Sequence, residues 1–338
     1  MKKMMAVYDA DTRYAERLSD YVNRKGKGVF TAQAFTSKEK LAEYAKKHEI
    51  DVLLSGERTD SGDISGIPSA QKIYMSEETE KQMDSGKEIY KFQSGDDIIR
   101  EVMAAYSEIP GIRPNTAGAM GQSRRIVGVY SPIGRCGKTC LALAIGQTLA
   151  KEEKVLFVTL DTFTGVTGLL NERWKRDLSD LIYYYKQDRF HVIRLNSIVY
   201  YLGDMAWIPP IRIPQDYTQL SVQEMADLLE RILQEGNYTT LVLDVGDYGR
   251  DALPLLEKCQ VIYTPIREDP FSAEKMREFE EYLEAVGNGA VMEKIQKIHV
   301  PMVTGGRRME HFPQELLWGD MGDFVRSLLK GQRNLWDS

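Results

Sequence analysis

The stretch IVGVYSPIGRCGKTCLALAIGQTLA, residues 126–150, decides the fold. Its opening, IVGVY, has the length and apolar character of a buried strand. The residues after GKT are apolar almost throughout and too many for one strand, so they read as a helix. A helix start presents backbone N–H groups without intrahelical partners and the positive end of the helix dipole. Gly137 lets a phosphate approach that backbone, Lys138 can reach phosphate oxygens, and the Thr139 hydroxyl can ligate Mg²⁺. GKT alone recurs by chance. Between a buried strand and a helix it points to a nucleotide-binding loop, the alternative being a helix N-cap without a ligand. The first glycine of GxxxxGK[ST] would fall at Pro132, whose ring narrows the conformational freedom of the loop.

Downstream, two strands end in acids. VLFVTLDTFTG (155–165) places Asp161 just past an apolar run, and YTTLVLDVGDYG (238–249) places Asp244 after the apolar residues Leu241, Val242 and Leu243. Carboxylates at such positions can hold a hydrated metal or orient water beside a phosphate; each could instead cap the turn that follows. Residues 178–187 read as a helix and 205–210 as a short strand stopped by two prolines. Val222, Met225, Leu228, Leu229 and Ile232 define an amphipathic helix over 221–235. Strands at 261–265 and 298–300 and helices near 250–257 and 271–286 complete the alternation, which predicts a parallel sheet with helices on both faces.

The first hundred residues alternate in the same way. Strands are expected at 4–8, 29–35, 50–54, 71–75 and 88–92, and helices at 12–25, 37–47 and 95–107. The segment 108–124 is rich in Gly, Pro and small polar residues without periodicity, and reads as a linker or an ordered surface loop. The expected organisation is a domain over 1–107, the linker, and a second domain over 125–338.

Composition excludes several classes. At 338 residues, 43 % hydrophobic and 28 % charged, the chain is an ordinary globular protein with room for two domains. A net charge of −6 provides no global basic field for nucleic acid or an anionic membrane. Cys136, Cys140 and Cys259 form no disulfide framework, and the four histidines are scattered, suggesting no metal cluster. No signal-like or membrane-length apolar run is present, so a cytoplasmic protein is expected. Met321, Phe324, Val325, Leu328 and Leu329 have helical spacing over 321–336. That helix either docks on its own domain or lies on a membrane.

The strand, loop and acids resemble the MinD/ParA family of P-loop ATPases, with its signature KGGxGK[ST]. On that pattern Ile133 stands at the signature lysine, and Arg135 and Cys136 replace a glycine and a small apolar residue. The resemblance implies ATP and Mg²⁺ as cofactors. Gly134, Arg135, Cys136, Gly137, Lys138, Thr139 and Cys140 would form the phosphate cradle, and Thr139 and Asp244 would hold the metal. Lys138 and Asp161 would be the catalytic residues, with Thr159 where a further acid is usual. Pro265, Arg267, Pro301 and Met302 would face the base. It also implies a homodimer around nucleotide, with slow hydrolysis for want of the lysine. Arg135 is either a replacement cation or a solvated loop residue.

The first domain resembles a response-regulator receiver of the atypical kind. Asp9 and Asp11 keep part of the acidic corner, with Asp9 alternatively only the cap of the first helix, and Lys91 stands where the receiver lysine is expected. The third strand ends in Ser55, however, where a phosphoacceptor aspartate belongs. A degenerate receiver before a MinD/ParA-like domain is the arrangement of the TadZ/CpaE family. That resemblance implies localisation and assembly of Flp-type (Tad) pilus machinery, partners among pilus or secretion assembly proteins, and no specific nucleic acid. Any membrane contact would be peripheral and indirect. A cargo- or DNA-positioning ATPase and a scaffold with a vestigial loop are the other readings.

Overall fold

A computed structural model describes residues 2–25, 29–57, 64–78, 88–110, 123–170, 174–246, 252–301 and 312–336. The chain divides into two compact units. One takes Met1–Thr116 together with His191–Ser197, and the other takes Ala117–Phe190 and Ile198–Ser338. Both are α/β units built on parallel sheets, the expected class.

The first unit has five strands: β1 (Lys3–Tyr8), β2 (Phe30–Phe35), β3 (Val52–Ser55), β4 (Gln71–Ser76) and β5 (Glu88–Tyr90). Their order is β2-β1-β3-β4-β5, all parallel, which is the flavodoxin-like doubly wound order. Successive β1 residues point to opposite faces and both faces are covered. Met5 and Val7 pack with Leu18 and Val22 of α1 (Thr12–Lys25) and with Ile98 and Val102 of α3 (Gly95–Ser107). Ala6 and Tyr8 pack with Leu41 of α2 (Lys38–Lys47). The sequence reading assigns no element to His191–Ser197, whose Ile193 joins the first of these cores.

The second unit has seven strands: β6 (Arg125–Val129), β7 (Val155–Thr159), β8 (Tyr200–Leu202), β9 (Met205–Ile208), β10 (Thr240–Asp244), β11 (Val261–Ile266) and β12 (Ile295–His299). The order is β12-β11-β6-β10-β7-β9-β8, parallel apart from the β8–β9 pair at one edge. From β6 the chain goes out to β7 on one side, and from β10 it crosses β6 to reach β11 on the other. The carboxyl end of β6 is therefore a topological switch point, where open α/β sheets leave a crevice.

Helix α4 (Lys138–Leu149) lies between the sheet and α13 (Asp320–Trp336), which explains its nearly uniform apolar character. Leu141, Ala142 and Ile145 are buried with Val127, Phe157 and Val242 below, and with Met321, Val325 and Leu329 of α13 above. The C-terminal helix thus docks on its own unit, with Phe324 and Leu328 packed at the edge of that core. Among the described residues, no helix is long and apolar enough to cross a membrane.

Candidate functional site: the phosphate loop and its carboxylates

The loop between β6 and α4 sits at the switch point. Gly137 caps α4 with φ +87, a left-handed conformation that glycine adopts without steric cost. Arg135 has φ +56, so the position where the MinD/ParA pattern has its second glycine does require a left-handed residue. Arginine holds that conformation here at a cost of about 1 kcal/mol. Gly134 has no such requirement, and a Cβ added there would meet nothing within 4 Å.

Ser131 ties the loop down. Its Oγ donates to the Pro265 carbonyl (2.8 Å) and accepts from the Ile133 N–H (3.1 Å). Ile133, at the signature-lysine position, is buried. The Cys136 thiol donates to the Ile133 carbonyl, and the Lys138 ammonium donates to the carbonyls of Ser131 (3.3 Å) and Ile133 (3.4 Å). Ser131 is a site residue that the sequence reading passed over. Its bond to a backbone N–H two residues on is a common serine turn and was the available signal.

Asp244 ends β10, directly opposite Thr159 of β7 in the sheet register. Both are fully buried, and the Thr159 hydroxyl donates to Asp244 Oδ2 at 3.0 Å. Asp244 Oδ1 has no hydrogen-bond partner among the described residues. Burial pushes the carboxyl up to about 6; hydrogen bonding to Thr139 and Thr159 pulls it down, the charge of Asp161 raises it and that of Lys138 lowers it. Burial also raises the Cys140 thiol, with the Asp244 charge adding to the effect. An orphaned buried carboxylate oxygen beside the Thr139 hydroxyl, at a helix start carrying Lys138, suits a hydrated divalent cation with a phosphate ligand.

Asp161 lies two residues beyond Thr159. Its N–H donates to Thr159 Oγ1 (3.3 Å), and its carbonyl accepts from the Tyr217 hydroxyl (3.4 Å). Gly246, with φ +52, passes so near that a Cβ there would lie 2.5 Å from Asp161 Cα. The turns after β7 and β10 therefore touch through backbone, and glycine permits it.

On the expected base side, the Pro265 carbonyl is engaged by Ser131. Arg267 is exposed; its guanidinium donates to the Arg135 carbonyl (3.4 Å) and pairs with Asp269 (3.4 Å). The end of β12 also reaches the loop, since Val300 Cγ1 is 3.5 Å from a Cβ position on Gly137; Pro301 follows it. Met302, also expected to face the base, lies outside the described residues. No group of three or more His, Cys, Asp or Glu side chains that could by themselves hold a metal occurs among the described residues.

The first unit has its own polar corner, at the switch point between β1 and β3. The Lys91 ammonium pairs with buried Asp9 (2.8 Å) and with Glu77 (3.2 Å), and lies 4.8 Å from the centre of the Tyr14 ring. Burial lowers the affinity of Lys91 for its proton, but the bonds to Asp9 and Glu77 outweigh this and raise it. Asp9 Oδ1 accepts from the Asp11 N–H (2.8 Å), while the Ser55 hydroxyl turns away to the Glu57 carbonyl (2.7 Å).

No family model matches the chain, and no curated protein matches it. Solved structures are similar to it at low identity. A ParA family ATPase from Chlorobium tepidum is 18 % identical over 62 % of this chain and 91 % of its own, with a TM-score of 0.46. A plasmid partition protein from Borrelia burgdorferi is 15 % identical over 62 % and 97 %, also with a TM-score of 0.46. Cobyrinic acid a,c-diamide synthase from Mycobacterium smegmatis, with bound ATP analog and magnesium, is 14 % identical over 59 % and 82 %, with a TM-score of 0.41. The strand order and the geometry of the loop carry the fold assignment of the second unit as a P-loop nucleotide-binding fold.

Proposed function

We propose that this chain is an ATP-binding localisation and assembly factor of the TadZ/CpaE kind, serving Flp-type pilus machinery and dimerising around nucleotide with slow hydrolysis. The observation that carries the nucleotide reading is the meeting of four groups at one strand end. Left-handed Gly137, Lys138 and Thr139 start α4 beside Asp244, which keeps a buried oxygen without a partner. In this reading Lys138 and the loop N–H groups hold the phosphates, Thr139 and Asp244 hold the hydrated metal, and Asp161 orients water. Bound Mg²⁺ would neutralise charge on the phosphates.

Slow turnover follows from two replacements. Ile133 offers no cation where the family has its lysine, and Thr159 offers a hydroxyl where it has an acid. The first unit supports a contact role in place of phosphorelay, because Lys91 already neutralises Asp9 and Ser55 has no carboxylate to phosphorylate. Recruitment of pilus-assembly proteins rests on the order of the two domains alone.

The scaffold reading draws on one observation. The Lys138 ammonium is folded back onto the carbonyls of its own loop, so a vestigial loop would be self-satisfied. Equilibrium ATP binding with Mg²⁺, with turnover recorded on the same samples, separates the readings. Tight binding lost in Lys138→Ala, with little turnover, supports the proposal. Absence of binding by the wild type leaves the scaffold. Rapid turnover with salt-sensitive DNA binding would instead favour a cargo-moving ATPase. Co-purification with components of the pilus machinery tests the partner, and its failure would remove the pilus role.

A further inference from the structure

Helix α10 (Pro270–Ala285) carries a stripe with a symmetry of its own. Phe271, Lys275, Glu278 and Tyr282 are separated by four, three and four residues, so they share one face of the helix. Phe271 is 84 % exposed and Tyr282 42 % exposed, although both are large and apolar in body. Neighbouring charges on the helix are satisfied within the molecule: Arg277 pairs with Glu274 and Glu281, and Glu280 pairs with Lys297. Lys275 and Glu278 make no ion pair or hydrogen bond with any described residue. Lys275, Glu278 and Tyr282 of the stripe also line a groove of about 350 Å³, together with Tyr130 and Pro132 at the start of the phosphate loop.

The stripe reads aromatic, charge, opposite charge, aromatic, and is symmetric about a point between Met276 and Arg277. If two copies of α10 lie antiparallel about a two-fold axis at that point, Phe271 meets Tyr282 of the partner subunit. The same placement sets Lys275 against Glu278 of the partner subunit, and symmetry repeats both contacts. One register therefore pairs two charges that no described residue pairs, and covers two exposed rings. A register that superposes Lys275 or Glu278 on its own counterpart sets like charges together and is disfavoured. We propose that α10 is a self-complementary face through which two copies of this chain pair in an isologous contact that does not require nucleotide. Ring burial supplies the attraction and the reciprocal charges select the register. This contact is separate from the dimer proposed around nucleotide.

The test is sedimentation of the full chain without nucleotide or Mg²⁺, at tens of micromolar. The wild type is expected to be a dimer. Lys275→Glu places four acids at the centre of the contact and should weaken it at least about tenfold. The exchange Lys275→Glu with Glu278→Lys restores opposite charges across the axis and should bring the dimer back to near wild-type strength. A monomeric wild type, a Lys275→Glu variant that dimerises like the wild type, or an exchange no better than the single change would each overturn the proposal. ATP binding by the same samples reports separately on the nucleotide function.

Discussion

Thr159 and Asp244, 85 residues apart in sequence, face each other across adjacent strands, with the threonine hydroxyl donating to the carboxylate at 3.0 Å. A threonine here does what a second acid could not. Two carboxylates at this separation in a dry site would repel, and one would have to remain protonated. Thr159→Val keeps the shape but removes one of the two threonine hydroxyls that hydrogen-bond the buried Asp244 carboxylate. It should cost about 1–3 kcal/mol in urea unfolding at neutral pH. Thr159→Asp should cost at least as much at neutral pH and less as the pH falls and one acid takes up a proton.

Asp244 also sets a pH dependence. Burial holds its carboxyl at about 6, above the 3.8 of an ordinary aspartate. The stability it contributes is therefore full below about pH 4 and is lost as the pH rises through 6. Two pKa units at about 1.4 kcal/mol each give a loss of roughly 3 kcal/mol by pH 7. Asp244→Asn removes this titration. Unfolding measured at a series of pH values should show the variant gaining on the wild type between pH 4 and pH 7. A constant difference would mean that Asp244 does not titrate there.

Under the proposed function, the metal binds the ionised form of that carboxylate. Mg²⁺-dependent nucleotide affinity should rise up to about tenfold per pH unit below 6 and level off above it. Titration with a fluorescent nucleotide at several pH values reads this directly. Affinity in EDTA should be weak and should lack that rise.

Gly134 and Gly246 should separate stability from binding. Gly246→Ala forces a Cβ against the Asp161 backbone and requires a left-handed alanine, so it should lower stability by more than about 1 kcal/mol. Gly134→Ala meets open space and should leave stability within about 0.5 kcal/mol. If phosphates lie on the loop backbone, the same Gly134→Ala change should still weaken nucleotide binding. Thermal unfolding and nucleotide titration on both variants check the pair.

Arg135→Gly should raise stability by about 0.5–1 kcal/mol, because a left-handed residue at φ +56 is better served by glycine. A loss of nucleotide affinity in the same variant would show that the arginine side chain contributes its charge to the site.

Much of this molecule is written locally. The strand–loop–helix of residues 126–150, the acids at two strand ends and the alternation behind both sheets lie within short windows. Apolar period and glycine placement report them there without knowledge of the rest of the chain. The described element ends fall within about two residues of the sequence reading for most of these segments. Short pieces with weak periodicity escaped it, among them β8, the 3-10 helix Pro214–Gln219 and α11 (Gly289–Lys294). What the tertiary structure alone decided concerns residues far apart in sequence. Ser131 reaches Pro265, Thr159 reaches Asp244, and Gly246 comes against Asp161 because of the strand order β11-β6-β10-β7. The C-terminal helix could have met lipid or protein on its sequence alone; the apolar upper face of α4 settled it. A local pattern states which face of an element is apolar. Which partner covers that face is set by the order in which strands pair, and no single segment carries that order.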